Sequence, residues 1–159
     1  MIIDNKKTVA GVHIRRRLFL LLLAVAIVLL IFKDSLLGID RIVYIVVLNI
    51  LYITYYLWGS VKDYNYLYYN DMGSKLIFKY YFLEPLRKAK RTIEIDKNDF
   101  YKFRFQKKFI GLRLYLILYQ KGQGGIAKYP PISMGLLKKK EIESIKNSLF
   151  IFSKEKLNE

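Results

Sequence analysis

Acid–base or metal chemistry needs carboxylates, imidazoles or thiolates brought together, and this chain of 159 residues offers few of them. It has no cysteine and one histidine, His13. Disulfides, thiolate metal sites, histidine triads and multi-histidine metal sites are therefore excluded. The closest carboxylates, Glu94, Asp96 and Asp99, fall in "EIDKND". Asp and Asn in such a cluster mark a turn, and a calcium loop would need more oxygen ligands at regular spacing. "KGQGG" at 121–125 lacks the lysine and hydroxyl that complete a phosphate loop and reads as a flexible turn. Glu141 and Glu143 lie near the start of a helical pattern, where the helix dipole favours acids. His13 is assigned no role. With no nucleophile–base pair in view, the expectation is a protein that is not an enzyme and carries no cofactor.

The abundant chemistry is cationic. Lys and Arg number 28 against 13 Asp and Glu, a net charge of +15. Such a charge favours polyanionic partners, either nucleic acid or acidic lipid. "NDFYKFRFQKKF" at 98–109 alternates rings with positive charges. It could stack on bases, lie on an anionic membrane, or form a strand with one face in a core. Tyr101, Phe103 and Phe105 share one strand face, with Lys102, Arg104 and Gln106 on the other. The core reading needs no further assumption, and the glycine–aromatic pattern of an RNA-recognition sheet is missing. Lys102, Arg104, Lys107 and Lys108 remain, close in sequence to Arg87, Lys88, Lys90 and Arg91. Against acidic headgroups each such charge contributes about 1 kcal/mol. The competing reading is a set of solvated strand edges that discourage aggregation.

The elements that would position these charges begin with two apolar runs. Arg15, Arg16 and Arg17 precede residues 18–32, a stretch with no polar residue, and residues 42–58 form a second run interrupted by Asn49 and Thr54. Uninterrupted aliphatic runs without an amphipathic stripe need apolar surroundings on all sides. The expectation is a transmembrane hairpin with spans at about 18–37 and 41–58, within a hairpin segment 18–58. No A-x-A cleavage site follows the first run, against a signal peptide. Residues 1–17 carry Lys6, Lys7 and the three arginines against Asp4, and residues 59–159 carry 21 basic and 10 acidic residues. The connecting "KDSLLGIDR" is balanced. The positive-inside rule then places both termini in the cytoplasm and the short loop outside, with residues 1–17 as a basic cytoplasmic N-terminus. Tyr52, Tyr55, Tyr56 and Trp58 would form an aromatic belt, and Asn49 would face another helix within the membrane.

From residue 59 the apolar period becomes two. Leu76, Phe78, Tyr80 and Phe82 alternate in one run, Ile93 and Ile95 in "TIEI", and Leu112, Leu114, Leu116 and Leu118 in "LRLYLILYQ". Pro130 and Pro131 limit a short extended piece. Ile142, Ile145, Leu149 and Phe152 recur at helical spacing, with Ser133 as a candidate N-cap. This predicts a β-rich domain over 59–152 and a tail at 153–159.

"RTIEIDKNDFYKF", "LRLYLILYQ" and "YPPISMGLLKKKEIESIKNSL" together resemble the bacterial pleckstrin-homology-like domains that follow a two-helix membrane hairpin, over about residues 64–150. The resemblance implies a bent sheet or partly open barrel closed by a C-terminal helix, acting as a scaffold or as a lipid- or protein-binding module, and supplies no catalytic residues. The fold expected is thus a membrane α-helical hairpin plus an α+β domain. The function expected is an adaptor or accessory subunit of a membrane complex, with membrane lipid and other membrane-protein subunits as partners. The tyrosines of "YNYLYYN" are a candidate contact surface. A membrane-tethered nucleic-acid binder is the alternative.

Overall fold

The computed structural model describes residues 1–31, 35–36, 39–83, 89–122 and 124–154. In chain order the elements are β1 (Ile2–Asp4), α1 (Lys6–Ile31), β2 (Ser35–Leu36), β3 (Ile39–Asp40), α2 (Arg41–Val61), β4 (Asn65–Asn70), β5 (Lys75–Phe82), β6 (Arg91–Asp96), β7 (Phe100–Lys108), β8 (Arg113–Gly122), β9 (Gly125–Lys128), β10 (Ile132–Ser133) and α3 (Lys139–Phe152). They form two compact units. One combines Met1–Val9 with Lys62–Glu159, and the other is Ala10–Val61.

The first unit is α+β, with two antiparallel sheets. One sheet has the order β1-β4-β5-β6; in the other, β8 pairs with β7 on one side and with β10 and β9 on the other. The period-two pattern places the core. Leu67 and Tyr69 of β4, Leu76, Phe78 and Tyr80 of β5, and Ile93 and Ile95 of β6 are buried, each two residues from the next along its strand. From the other sheet come Phe100, Phe103, Leu116, Leu118 and Ile132. The α3 stripe closes the cluster with Ile145 and Leu149, flanked by partly buried Ile142 and Phe152. Each fully buried large side chain contributes about 1.5–3 kcal/mol.

The structure departs from simple alternation in several places. The β7–β8 register shifts between Phe100 and Lys102, a bulge that gives β7 one extra residue. Phe100 and Phe103, three apart, therefore both enter the core, and Tyr101 is only half-buried. Leu112 falls outside β8 in an exposed turn, so it does not continue the face of Leu116 and Leu118. Ile117, expected on the outer face, is buried too. Ser133 does not cap α3: it lies in β10, and its hydroxyl donates to the Asp63 carbonyl at 2.7 Å. The cap of α3 comes from Glu141, whose carboxylate accepts from the Lys138 N–H at 2.7 Å.

β1 was not anticipated. Ile2, Ile3 and Asp4 pair antiparallel with Asn70, Tyr69 and Tyr68. The helical segment of the chain is thus an insertion between two neighbouring strands of one sheet. Asn5 fixes the junction. Its side-chain amide donates to the Asn65 carbonyl at 3.0 Å, its Oδ1 accepts from the Leu67 N–H at 2.9 Å, and it is 2% exposed.

In the second unit, Arg16, Phe19, Leu23, Ala26 and Leu30 of α1 are half-buried at alternating spacings of three and four. On α2 the half-buried residues include Ile45, Leu48, Tyr52 and Gly59. That spacing is the seam of two packed helices. Phe19 lies at the centre, stacked on Tyr52 at 6.0 Å and Tyr55 at 4.7 Å. Outside the seam the aliphatic side chains are exposed, Leu21, Leu22, Val47 and Ile50 among them.

Of the run predicted at 18–32, residues 18–31 belong to a longer helix that already begins at Lys6, and where the first span was expected to reach about 37, Ser35–Leu36 pairs with Ile39–Asp40. Among the described residues one helix is long and apolar enough to cross a membrane, over Ile42–Gly59 at mean hydropathy 1.7.

Candidate functional site

The arginine triplet sits on α1 and is divided by helix geometry. Arg16 points across the seam. Its guanidinium lies 5.7 Å from the centre of the Tyr56 ring and so close to Gly59 that a Cβ there would meet its Nη2 at 2.7 Å. Only glycine at 59 lets the cation cross α2 this closely. Arg15 turns back to donate to the Gly11 carbonyl of its own helix at 3.3 Å. Arg16 and Arg17, with Leu20, Tyr52, Tyr55 and Tyr56, line a cavity of about 200 Å³. Two guanidinium groups beside an aliphatic and aromatic wall suit an amphiphile with an anionic head, the head at the arginines and the chain against Leu20.

Further along α2, the Asn49 amide donates to the Ile45 carbonyl at 2.8 Å, and the Thr54 hydroxyl does the same to Ile50 at 2.8 Å. Asn49 is exposed and meets part of its hydrogen-bonding need within its own helix.

The remaining predicted cations are distributed over the β unit. Lys102 of β7 lies over the rings of Tyr101 at 5.4 Å and Tyr119 at 5.6 Å. Arg104, Lys107 and Lys108 are exposed along the same strand, and Lys108 stands 5.8 Å from the Tyr115 ring. Lys90 and Arg91 are exposed at the start of β6, in the other sheet. The structure thus gathers Lys102, Arg104, Lys107 and Lys108 on one strand and puts Lys90 and Arg91 elsewhere. Arg87 and Lys88 lie outside the described residues.

The rings of 98–109 are largely taken by the core: Phe100 and Phe103 are buried and Phe105 packs against them. "YNYLYYN" is mostly β4, whose Leu67 and Tyr69 are buried while Tyr66 and Tyr68 are half-buried, so only part of it is available as a contact surface. Tyr66 stacks on Tyr81 at 4.7 Å, and burial together with the neighbouring Asp4 pushes its phenol up to about 12.

No protein-family model matches the chain, and no curated protein or solved structure matches it. The site therefore stands on its geometry.

Two polar clusters organise the β unit. Asp63 accepts from the Tyr115 hydroxyl at 2.8 Å, and its backbone carbonyl from Ser133. Burial, followed by the Asp63 carboxylate, raises the Tyr115 phenol. Gly135 passes so near the Lys62 carbonyl that a Cβ would sit 2.8 Å from it. These contacts pin the first residues after α2 to the start of β8. Far along the sheet, Asp71 accepts from the Met1 ammonium, from Ser148 and from Tyr69. Burial pushes the Asp71 carboxyl up, but hydrogen bonds from the ammonium and Ser148, with the charges of the ammonium and Lys97, more than offset it and hold it below the usual range.

The turn joining β7 and β8 was missed by the alternation argument. Phe109, Ile110 and Gly111 have φ of +56°, +54° and +81°. A left-handed conformation costs a side-chain-bearing residue about 1–2 kcal/mol. Phe109 is 58% exposed and Ile110 101%. "KKFIGLR", three apolar side chains bracketed by cations, was the signal available in sequence.

Proposed function

We propose that the chain is a non-enzymatic, membrane-anchored adaptor: α1 and α2 form a two-span hairpin in a bacterial inner membrane, and the β unit is a cytoplasmic pleckstrin-homology-like module that meets acidic lipid and a protein partner. The observation that carries this reading is the outer surface of the hairpin. Its aliphatic side chains are half or more exposed in water, and nothing in the Ile42–Gly59 window is buried. An apolar surface of that extent needs lipid or protein against it. The pairing of β1 with β4 supports a two-span arrangement, because a sheet that contains both neighbours of the hairpin requires both ends of the hairpin on one side of the bilayer. The excess of Lys and Arg outside the hairpin supports the cytoplasmic side. A four-stranded antiparallel sheet, then a second antiparallel sheet, then a C-terminal helix is an order consistent with the pleckstrin-homology-like expectation.

The adaptor role is supported by binding chemistry: cations on β7 and a cavity with an arginine head and an apolar wall.

The test uses the absence of native cysteine. Single variants Ser35→Cys and Ser144→Cys are expressed in intact cells and treated with a membrane-impermeant thiol reagent. Labelling of Ser35→Cys alone is expected. Labelling of Ser144→Cys with Ser35→Cys protected reverses the orientation, and recovery of the full chain in the soluble fraction without detergent overturns the anchor.

A further inference from the structure

We propose that the β7–β8 tip is a lipid-inserting wedge, with Phe109, Ile110 and Leu112 entering the interface of an anionic bilayer while Lys107, Lys108 and Arg113 take the headgroup phosphates. This deepens the membrane reading above and rests on it. Three observations carry it.

The first is composition at a place where apolar residues are unfavourable. Ile110 is wholly exposed, Phe109 more than half and Leu112 nearly half. A tight turn in water is ordinarily built from Gly, Asn or Asp, which tolerate positive φ. Here a β-branched residue and an aromatic one hold that conformation consecutively. Backbone strain that presents apolar side chains to solvent points to a ligand that covers them.

The second is charge. Lys108 and Arg113 are direct partners in the strand register, so like charges face each other across the base of the tip, with exposed Lys107 beside them. Opposed like charges in a ladder are unfavourable, and an anion between them relieves the repulsion. The Arg113 guanidinium stands 5.1 Å from the Phe109 ring and Lys108 near Tyr115. Cations layered behind apolar tips match a membrane interface, where phosphates overlie hydrocarbon.

The third is position within the β unit. The Tyr115–Asp63 and Ser133–Asp63 bonds fasten the base of the tip to the residues that directly follow α2. Asn5 and Asn65, at the junction with α1, belong to the strand ends where the sheet begins. The tip therefore projects from the end of the domain where the chain leaves for the hairpin and returns. Only Lys62, Asp63 and Tyr64 separate α2 from β4, and so short a tether keeps the effective lipid concentration at that end high. The β4–β5 turn, by contrast, carries Met72, 71% exposed, at the far end of those strands.

The full chain, as Leu112→Cys or Met72→Cys, is labelled with a polarity-sensitive dye and reconstituted in phosphatidylcholine nanodiscs with or without phosphatidylglycerol. A third variant, Leu51→Cys on α2, reports the anchor. With anionic lipid the dye at 112 is expected to shift to the blue and be quenched by shallow spin-labelled lipid, while the dye at 72 is not. Adding Phe109→Ser with Ile110→Ser should abolish the shift. Lys107→Glu or Lys108→Glu should lower tip occupancy at least about fivefold each. If the dye at 51 is quenched by deep spin label but the dye at 112 stays as wet as that at 72, the wedge is refuted and the anchor stands. If the dye at 51 is unquenched, the anchor itself fails and the wedge falls with it. A blue shift at 112 that persists in lipid-free detergent, or equals it in purely neutral nanodiscs, means that protein or non-ionic contact covers the tip, and the proposal is wrong.

Discussion

The hairpin and the β unit are both rich in apolar residues, yet they use them in opposite ways. In the β unit, rings and aliphatic chains at every second position meet in one core, and Leu67, Phe78, Leu116 and Ile145 have no solvent exposure. In the hairpin, apolar residues surround both helices while the seam takes only one side chain in three or four. Apolar content therefore says little about where a core lies. What separates the two regions is periodicity: a period of two or a single helical stripe implies one buried face, and an unbroken run presents apolar side chains on every side of the helix.

The comparison can be broken most forcefully by truncating one large apolar side chain in each region. Phe78→Ala should cost the β unit about 3–5 kcal/mol, read as a lowered denaturant midpoint of the full chain in detergent. Leu51→Ala on the hairpin should change the same midpoint by less than about 0.5 kcal/mol. Equal costs would mean that the helices hide a core of their own. Next in size is the junction. Asn5→Ala leaves the Leu67 N–H and the Asn65 carbonyl without their partner in a buried place. A loss of about 1–3 kcal/mol follows, accompanied by faster amide exchange at Leu67.

Acid gives a third contrast, confined to the β unit. The Asp71 carboxyl is held low in the folded chain, so its stabilising effect is complete above the ordinary aspartate range and disappears as pH falls through the folded value. The acid limb of the stability curve should flatten in Asp71→Asn, with less change in Ser148→Ala. Base acts through Tyr66. Its phenol is raised, so its contribution is complete below the ordinary tyrosine range and is lost as pH climbs towards about 12. Tyrosinate absorbance should show the wild-type chain titrating one residue late relative to Tyr66→Phe. A small effect is also expected at the seam: Gly59→Ala pushes Arg16 off Tyr56, removing a contact worth about 0.5–1 kcal/mol. Hairpin unfolding by force or denaturing detergent is the sensitive readout.

Much of the architecture could be read from residue order, for reasons specific to each element. β5 and β6 announce themselves because their inward residues strictly alternate, and α3 because Ile142, Ile145, Leu149 and Phe152 keep helical spacing; β8 is legible as a strand, but Ile117 breaks its alternation by joining Leu116 and Leu118 in the core. β7 misleads because its bulge moves Phe100 into the core and Tyr101 out of phase. β1 is invisible because three residues carry no period, and their partners Tyr68, Tyr69 and Asn70 lie beyond two helices. Of the candidate site, the cations on β7 were legible as charges. Which of them stand together was not, because β6 and β7 belong to different sheets. Arg16 was counted with its two neighbours, although a helix turns each residue by about a quarter of a circle and only this one reaches Gly59.

The strand at the start of the chain has a bearing on biogenesis. β1 is made before both helices, but the edge it completes, β4, is made only after them. If the two helices span a bilayer as proposed, a chain that inserted only one of them would leave β1 and β4 in different compartments, and Tyr69 would lose the neighbour that covers its backbone. On that proposal, closure of β1 onto β4 would register that both helices had inserted, and a copy with only one inserted would keep an open strand edge.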